Sequence, residues 1–335
     1  MKVLICAPWF RTLARVHGAA LASRGHDVRV ATTDAQGVRS IDAVVPELDI
    51  EARFRHPRFV PGFVRSAAAL RHWRPDVALL DMTHDFRFHA LADLARKRAV
   101  LIHDATPHDA SHEQLGWKKD WERRSIDRSD GKVAFSKYTA DRIGASDVFR
   151  TISLASELAT HPEIPNTPRQ GFAFLGRISE YKGIDFLLEA WESARSHIPQ
   201  SDVLTIMGSG ELTHSVPGGV QIINGWYSDA DATGLLCKSK ALALPYREAS
   251  QSGVQVAAMQ HSTPTIVTNV GALPEFQPPG CPVVEFGDTD ALARAIIELA
   301  GNDQEQLRHI CRKQYDENHG VDHLGEQLDD LVRSL

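Results

Sequence analysis

Apolar residues in this chain come in short, nearly continuous runs rather than in strict alternation. Lys2–Ala7 and Asp27–Thr33 have strand length, and the Ala- and Leu-spaced stretch Arg15–Ser23 between them has a helical period that stops at Gly25. Asp76–Leu80 and Ala99–Ile102 repeat the strand pattern, with a helical pattern over Arg87–Arg96 between them. Runs apolar on both faces, separated by helices, are what buried parallel strands require. After a Pro-bearing stretch, His161-Pro-Glu-Ile-Pro-Asn-Thr-Pro168, a second series begins, with strands expected at Ala173–Leu175, Val203–Met207, Val220–Ile223 and Ala241–Leu244. The last segment, Asp303–Leu335, is charged and helical in period. The pattern predicts an α/β chain of two consecutive doubly wound units, an architecture that binds ligands outside the carboxyl ends of its strands.

Length agrees with two cores, since 335 residues suit two domains of about 150 each. A hydrophobic content of 43% with 24% charged residues, and no repeat or low-complexity tract, is that of a globular protein. The formal charge of −6 argues against a general nucleic-acid binder, so any cationic function must be local. Cys6, Cys237, Cys281 and Cys311 form neither a CxxC pair nor a zinc spacing, and are expected to be buried thiols of a reducing compartment. The apolar N-terminus is too short for a signal-peptide core, and no later segment has the length of a membrane span. The expected location is cytoplasmic, with peripheral association at the inner face of a membrane left open.

The most informative stretch runs from Phe174 to Trp191. It ends an apolar strand with Gly176-Arg177, delivers Lys182-Gly183 five residues later and opens an amphipathic helix. Arg177 can fork two phosphate oxygens, Lys182 adds a movable point charge, and the glycines let backbone approach an anion at a helix start. Taken alone it reads either as a diphosphate seat or as a strand-to-helix loop with two surface cations.

A second stretch, Leu244-Pro-Tyr-Arg-Glu-Ala-Ser-Gln-Ser-Gly-Val254, followed by an Ala-rich helix and Ser262–Glu275, decides between them. Together with Gly176-Arg177 and Lys182-Gly183, with Gly208-Ser-Gly-Glu-Leu212 and with Asn224-Gly-Trp226, it resembles the C-terminal half of the retaining family 4 glycosyltransferases. That resemblance implies the GT-B fold, two Rossmann-like domains facing a central cleft. It gives Arg177 and Lys182 the donor diphosphate and Glu248 the donor-sugar hydroxyls, and it places Gly176, Gly208, Gln251, Ser252, Gly253 and Val254 around the donor. The second Glu of the family's Glu-x7-Glu pattern, which takes the ribose, is replaced by Val256 or Ala257. Gln251-Ser252-Gly253 resembles a branch sharing this departure, and its backbone N–H groups at a helix start suit a phosphate or a sugar.

In the N-terminal half, Leu101-Ile-His-Asp-Ala-Thr-Pro-His-Asp109 resembles the His-Asp…Pro-His segment of that branch. The resemblance gives His103 a place facing the donor sugar and makes Asp104 the candidate orienting partner; position in the motif separates His103 from His84, His108 and His112. The Gly-Gly turn that relatives place after the first strand is missing: Pro8-Trp-Phe-Arg-Thr12 stands there, with Arg11 as a stand-in cation.

The expected domains are an acceptor-side unit over 1–160, a nucleotide-sugar-binding unit over 161–315, and a C-terminal helix over 316–335 that packs back toward the first. The function implied is transfer of a sugar, with retention, from a nucleotide-diphosphate sugar (UDP or GDP) to a hydroxyl of a glycan, lipid-linked or small-molecule acceptor, as in polysaccharide biosynthesis. The alternatives are a nucleotide-sugar epimerase of the same fold and a non-catalytic glycan-binding partner. No cofactor is expected beyond the donor, and no metal: Asp229/Asp231 and Asp288/Asp290 each precede an apolar-periodic helix, where Asp is a favoured cap. The segment Arg53–Arg74 has six arginines, four large aromatics and no acidic residue, a composition open to an anionic membrane surface or to a solvated face over core aromatics.

Overall fold

The computed structural model describes residues 1–33, 43–50, 60–81, 83–104, 124, 126–144, 149–158, 168–301 and 304–335. They form two compact units, Met1–Glu157 with Gly320–Leu335, and Leu158–His319. The Pro-bearing stretch falls outside the described residues except for Pro168, as do 51–59 of the basic aromatic segment and the His108 and His112 positions.

The first unit holds a seven-stranded sheet in the order β3-β2-β1-β4-β5-β6-β7. Its strands are β1 (Lys2–Ala7), β2 (Asp27–Thr33), β3 (Glu47–Ile50), β4 (Val77–Asp81), β5 (Lys97–Ile102), β6 (Gly131–Ala134) and β7 (Arg150–Thr151). All pairings are parallel. The second unit holds six strands in the order β10-β9-β8-β11-β12-β13, again all parallel. These are β8 (Phe172–Leu175), β9 (Leu204–Gly208), β10 (Val220–Asn224), β11 (Ala241–Leu244), β12 (Thr265–Thr268) and β13 (Val283–Val284).

The central strands read almost entirely as buried apolar residues because helices cover both faces. In the second unit the core is built on Phe172, Phe174, Trp191 and Leu187, with the Trp191 indole N–H donating to the Gly218 carbonyl at 3.1 Å. Strand order reverses between β1 and β4 in the first unit and between β8 and β11 in the second. In sheets of this type the crevice at the carboxyl end of such a reversal is where ligands bind.

The charged C-terminal segment is two helices, Glu305–Asn318 and Val321–Ser334, broken at His319-Gly320. The second belongs to the first unit, where it lies against the Arg11–Ser23 helix. Leu324, Leu328, Leu331 and Val332 form its buried stripe at helical spacing. Gly325 permits close contact, since a Cβ there would stand 3.3 Å from the Ala20 carbonyl oxygen.

Candidate donor and sugar site

In the second unit, the loops leaving β8, β9 and β11 converge at the strand reversal. Gly176-Arg177 follows β8, and the turn Glu180–Lys182 leads into the Ile184–Ala194 helix. Gly183 must be glycine twice over: its φ is 64°, and a Cβ would lie 2.0 Å from the Pro245 carbonyl oxygen just after β11. At Gly208, the end of β9, a Cβ would lie 1.7 Å from the Gly176 carbonyl oxygen. The expected glycines therefore lock three strand ends together.

That contact places the two cations. Lys182 Nζ sits 3.6 Å from the centre of the buried Tyr246 ring, and the Arg247 backbone N–H donates to the Tyr181 carbonyl at 2.8 Å. Tyr246 is a seat for the ammonium that sequence reasoning missed, although it stands between the two motifs in Leu244-Pro-Tyr. Its hydroxyl is held protonated, because burial pushes its pKa well above the ordinary phenol range. Arg177 is exposed and its Nη2 reaches the Tyr181 hydroxyl at 3.4 Å. Arg247, in contrast, is paired with Asp185 and stacked on Phe286 at 4.8 Å, so it props the loop.

Glu248 follows on the same loop and is exposed. Ser252 caps the Gly253–Gln260 helix, its hydroxyl accepting from the Gln255 N–H at 3.4 Å, which leaves Gly253 and Val254 in the first helical turn. Gln251 is half-buried just before it. Val256 and Ala257, at the place of the absent second Glu, are both buried in this helix and offer no polar group. A large exposed ring stands at the neighbouring strand end instead. Trp226 is 93% exposed, just after Gly225, whose N–H donates to the Gly208 carbonyl at 3.0 Å. The Asn224 amide completes that turn by donating to the Gly210 carbonyl at 2.9 Å.

In the first unit, the strand reversal gathers Phe10, Asp81 and His103. His103 directly follows β5, is 7% exposed, and lies between Phe10 (ring centres 4.3 Å apart) and Phe135 (4.5 Å). Its Nε2 is 3.2 Å from Asp81 Oδ1, so Asp81 is a carboxylate that fixes the ring's orientation, while Asp104 is half-buried at the start of the following loop. Asp81 was legible in principle as the residue ending the apolar run of the adjacent strand. Behind them lies His17, 1% exposed and stacked on Phe135 at 6.0 Å; burial lowers its pKa to about 3, with His103 adding to the effect, so it stays neutral.

Arg11 does not serve as a free cation. It is 3% exposed and bonded to Glu47 at 2.6 Å, to Asp49 at 2.8 Å and to the Thr33 carbonyl at 3.3 Å. Burial pushes Glu47 up, but hydrogen bonds from Arg15 and Arg11 more than offset it and hold the carboxyl below its ordinary range. One aspartate of each Asp-x-Asp triplet serves as a helix cap. Asp231 forms a capping box with Ser228, whose N–H donates to Asp231 Oδ2 at 2.9 Å, and Asp288 accepts from the Ala291 N–H at 2.8 Å.

Two Rossmann-like units, each an all-parallel sheet with a strand reversal, are the architecture of the GT-B fold. Sequence comparison agrees unit by unit: residues 12–150 match the model described as Glycosyltransferase Family 4, and residues 169–302 match Glycosyl transferases group 1. Between them the two segments take in most of the chain, which is a family 4-like glycosyltransferase. No curated protein matches it significantly by sequence. Among solved structures, sucrose-phosphate synthase from Thermosynechococcus elongatus superimposes with a TM-score of 0.72 at 15% identity, covering 100% of this chain and 98% of that one. Anabaena HepE in complex with UDP-glucose gives 0.70 at 14% identity with 100% of both chains covered. A glycosyltransferase from Rickettsia africae gives 0.69 at 12% identity, covering 99% and 98%.

Proposed function

We propose that the chain is a retaining glycosyltransferase that uses a nucleoside-diphosphate sugar, with Arg177 and Lys182 clamping the diphosphate as it leaves. The observation that carries this reading is the pair of cations at a strand reversal sealed by Gly183 and Gly208, where backbone approaches too closely for any side chain. As the glycosidic bond to phosphate breaks, negative charge grows on the diphosphate. Cations already in place are then worth more than in the ground state, and that difference accelerates the reaction. Lys182 resting on the Tyr246 ring is held in place before the donor arrives.

Glu248 accepts hydrogen bonds from donor-sugar hydroxyls, and the N–H groups of Gly253 and Val254 meet the donor at a helix start. His103, held by Asp81 between two rings of the first unit, takes the donor-sugar role that the family resemblance gives it. With no Glu for the ribose, Trp226 supplies a stacking face for the base, and its loss weakens nucleotide binding. UDP is taken as the nucleotide, following the UDP and UDP-glucose named with the Anabaena neighbour. The acceptor is a hydroxyl of a glycan, lipid-linked or small-molecule compound.

The transfer needs no divalent cation in this reading, because Arg177 and Lys182 carry the charge load and one aspartate of each Asp-x-Asp triplet, Asp231 and Asp288, is committed to capping. No helix of the described residues is long and apolar enough to cross a membrane. The Val60–Trp73 helix shows Val60, Val64 and Arg65 to solvent, which suits weak attachment to an anionic leaflet, read by co-sedimentation with anionic vesicles at low salt.

The deciding experiment incubates the protein with a panel of nucleotide sugars and acceptor hydroxyls, with and without a chelator, following free nucleotide and the anomeric configuration of the product. Transfer with retention that survives chelation supports the reading. Isomerised donor without acceptor would identify an epimerase instead, and neither product would leave a binding protein.

A further inference from the structure

The amino ends of the first unit's strands carry a second cationic centre, at the opposite end of the sheet from His103. A cavity of about 350 Å³ opens there, lined by Arg96, Lys97, Arg98, Arg124 and Arg128. The carboxylates among its described lining residues, Asp93 and Asp130, are already engaged. Asp93 pairs with the buried Arg98 at 2.5 Å, and Asp130 pairs with Lys97 at 2.8 Å while accepting the Arg98 backbone N–H at 2.9 Å. Arg96 reaches Asp76 only at 3.9 Å with most of its side chain in water. Arg124 and Arg128 leave one helical turn, the Arg128 N–H donating to the Arg124 carbonyl at 3.1 Å, and neither has a carboxylate partner among the described residues.

Three guanidinium groups thus converge on one concavity, Arg96 only loosely paired and Arg124 and Arg128 with no carboxylate partner among the described residues, in a chain whose formal charge is −6. Like charges brought together repel, and an anion that bridges them relieves that repulsion while taking forked hydrogen bonds. Among the described lining residues the apolar side chains are Ala92 and Ala95, so the walls are mainly polar and cationic. The volume is at the low end of small-molecule pockets. From this geometry we propose that the Arg96–Arg124–Arg128 cavity is a binding site for a small phosphate-bearing polyanion, of pyrophosphate or sugar-phosphate class. β5 separates it from the transfer site: Lys97 at the strand's start lines the cavity and His103 follows its end, a span of roughly 20 Å at the usual rise per residue.

The probe is inorganic pyrophosphate, titrated calorimetrically into the full chain at low salt. Because the diphosphate clamp would take the same probe, the background is the Arg177→Ala/Lys182→Ala variant. That variant is expected to retain one pyrophosphate site, and adding Arg124→Gln and Arg128→Gln is expected to weaken it at least about tenfold. The four substitutions lie on exposed or half-exposed positions, and an unchanged melting temperature confirms folding. If the quadruple variant melts early, pyrophosphate titrated into wild-type protein saturated with UDP gives the same reading. Absence of binding in the clamp variant, or binding indifferent to Arg124 and Arg128, overturns the proposal. A parallel arm with vesicles of anionic phospholipid separates sources: capture dependent on Arg124 and Arg128 assigns the phosphate to a lipid headgroup, and soluble pyrophosphate binding without capture assigns it to a free metabolite.

Discussion

His17 shows how one buried side chain can set the acid limit of the molecule. Burial lowers its pKa to about 3, whereas the unfolded chain binds that proton near 6.5. Between those values the unfolded state holds the extra proton, so the contribution is complete above about pH 6.5 and is lost as pH falls toward about 3. One proton costs about 1.4 kcal/mol per pH unit in that window. His17→Phe, which keeps a ring against Phe135, is expected to flatten the fall in melting temperature between pH 6.5 and 4. An unchanged slope would show that other groups carry it. Glu47 acts in the same direction at lower pH: its carboxyl is held below its ordinary range, so its stabilisation disappears as pH falls through that lowered value.

At the scale of elements, the strand ends rather than the strand bodies make the site. Gly208→Ala would drive a Cβ to 1.7 Å from the Gly176 carbonyl, so the loop carrying Arg177 must move. The expected result is a lowered melting temperature together with lost nucleotide affinity. Gly253→Ala meets open space and should leave folding intact. Both glycines stand in Gly-x-Gly and Ser-Gly patterns, and only the backbone carbonyl across the gap distinguishes them.

The same distinction explains what was legible in the chain. The buried parallel strands were, because apolar runs such as Lys2–Ala7 and Ala241–Leu244 need no partner to be recognised. Glu47–Ile50 was not, since an edge strand with two acidic residues has no apolar signature and is fixed by pairing with β2 and by salt bridges from Arg11 and Arg15. At the candidate site, Arg177, Lys182 and Glu248 stand in motifs that can be singled out in the sequence, whereas the partners Asp81 (to His103) and Tyr246 (to Lys182) show only once the strands are placed. Arg11 illustrates the converse: a cation in the right loop, already committed to buried carboxylates.

For the whole molecule, the chain's last helix returns to complete the first unit. Leu324, Leu328, Leu331 and Val332 are buried there, each contributing roughly 1.5–3 kcal/mol by burial of apolar surface. Leu328→Ala is expected to cost about 2–5 kcal/mol, read by hydrogen exchange as lost protection in Met1–Glu157 with Leu158–His319 unaffected. Equal loss in both units would show that they unfold as one body.

The account rests most heavily on the two cations after β8. Calorimetric titration of UDP into the wild type and into Arg177→Ala, Lys182→Ala and the double variant addresses them directly. Each substitution removes a charge-assisted contact worth about 1.5–3 kcal/mol, so each single variant should bind UDP at least about tenfold more weakly and the double variant about a hundredfold. Melting temperatures without ligand should be unchanged, since neither side chain is buried. UDP affinity in the double variant equal to that of the wild type would contradict the clamp and the function built on it.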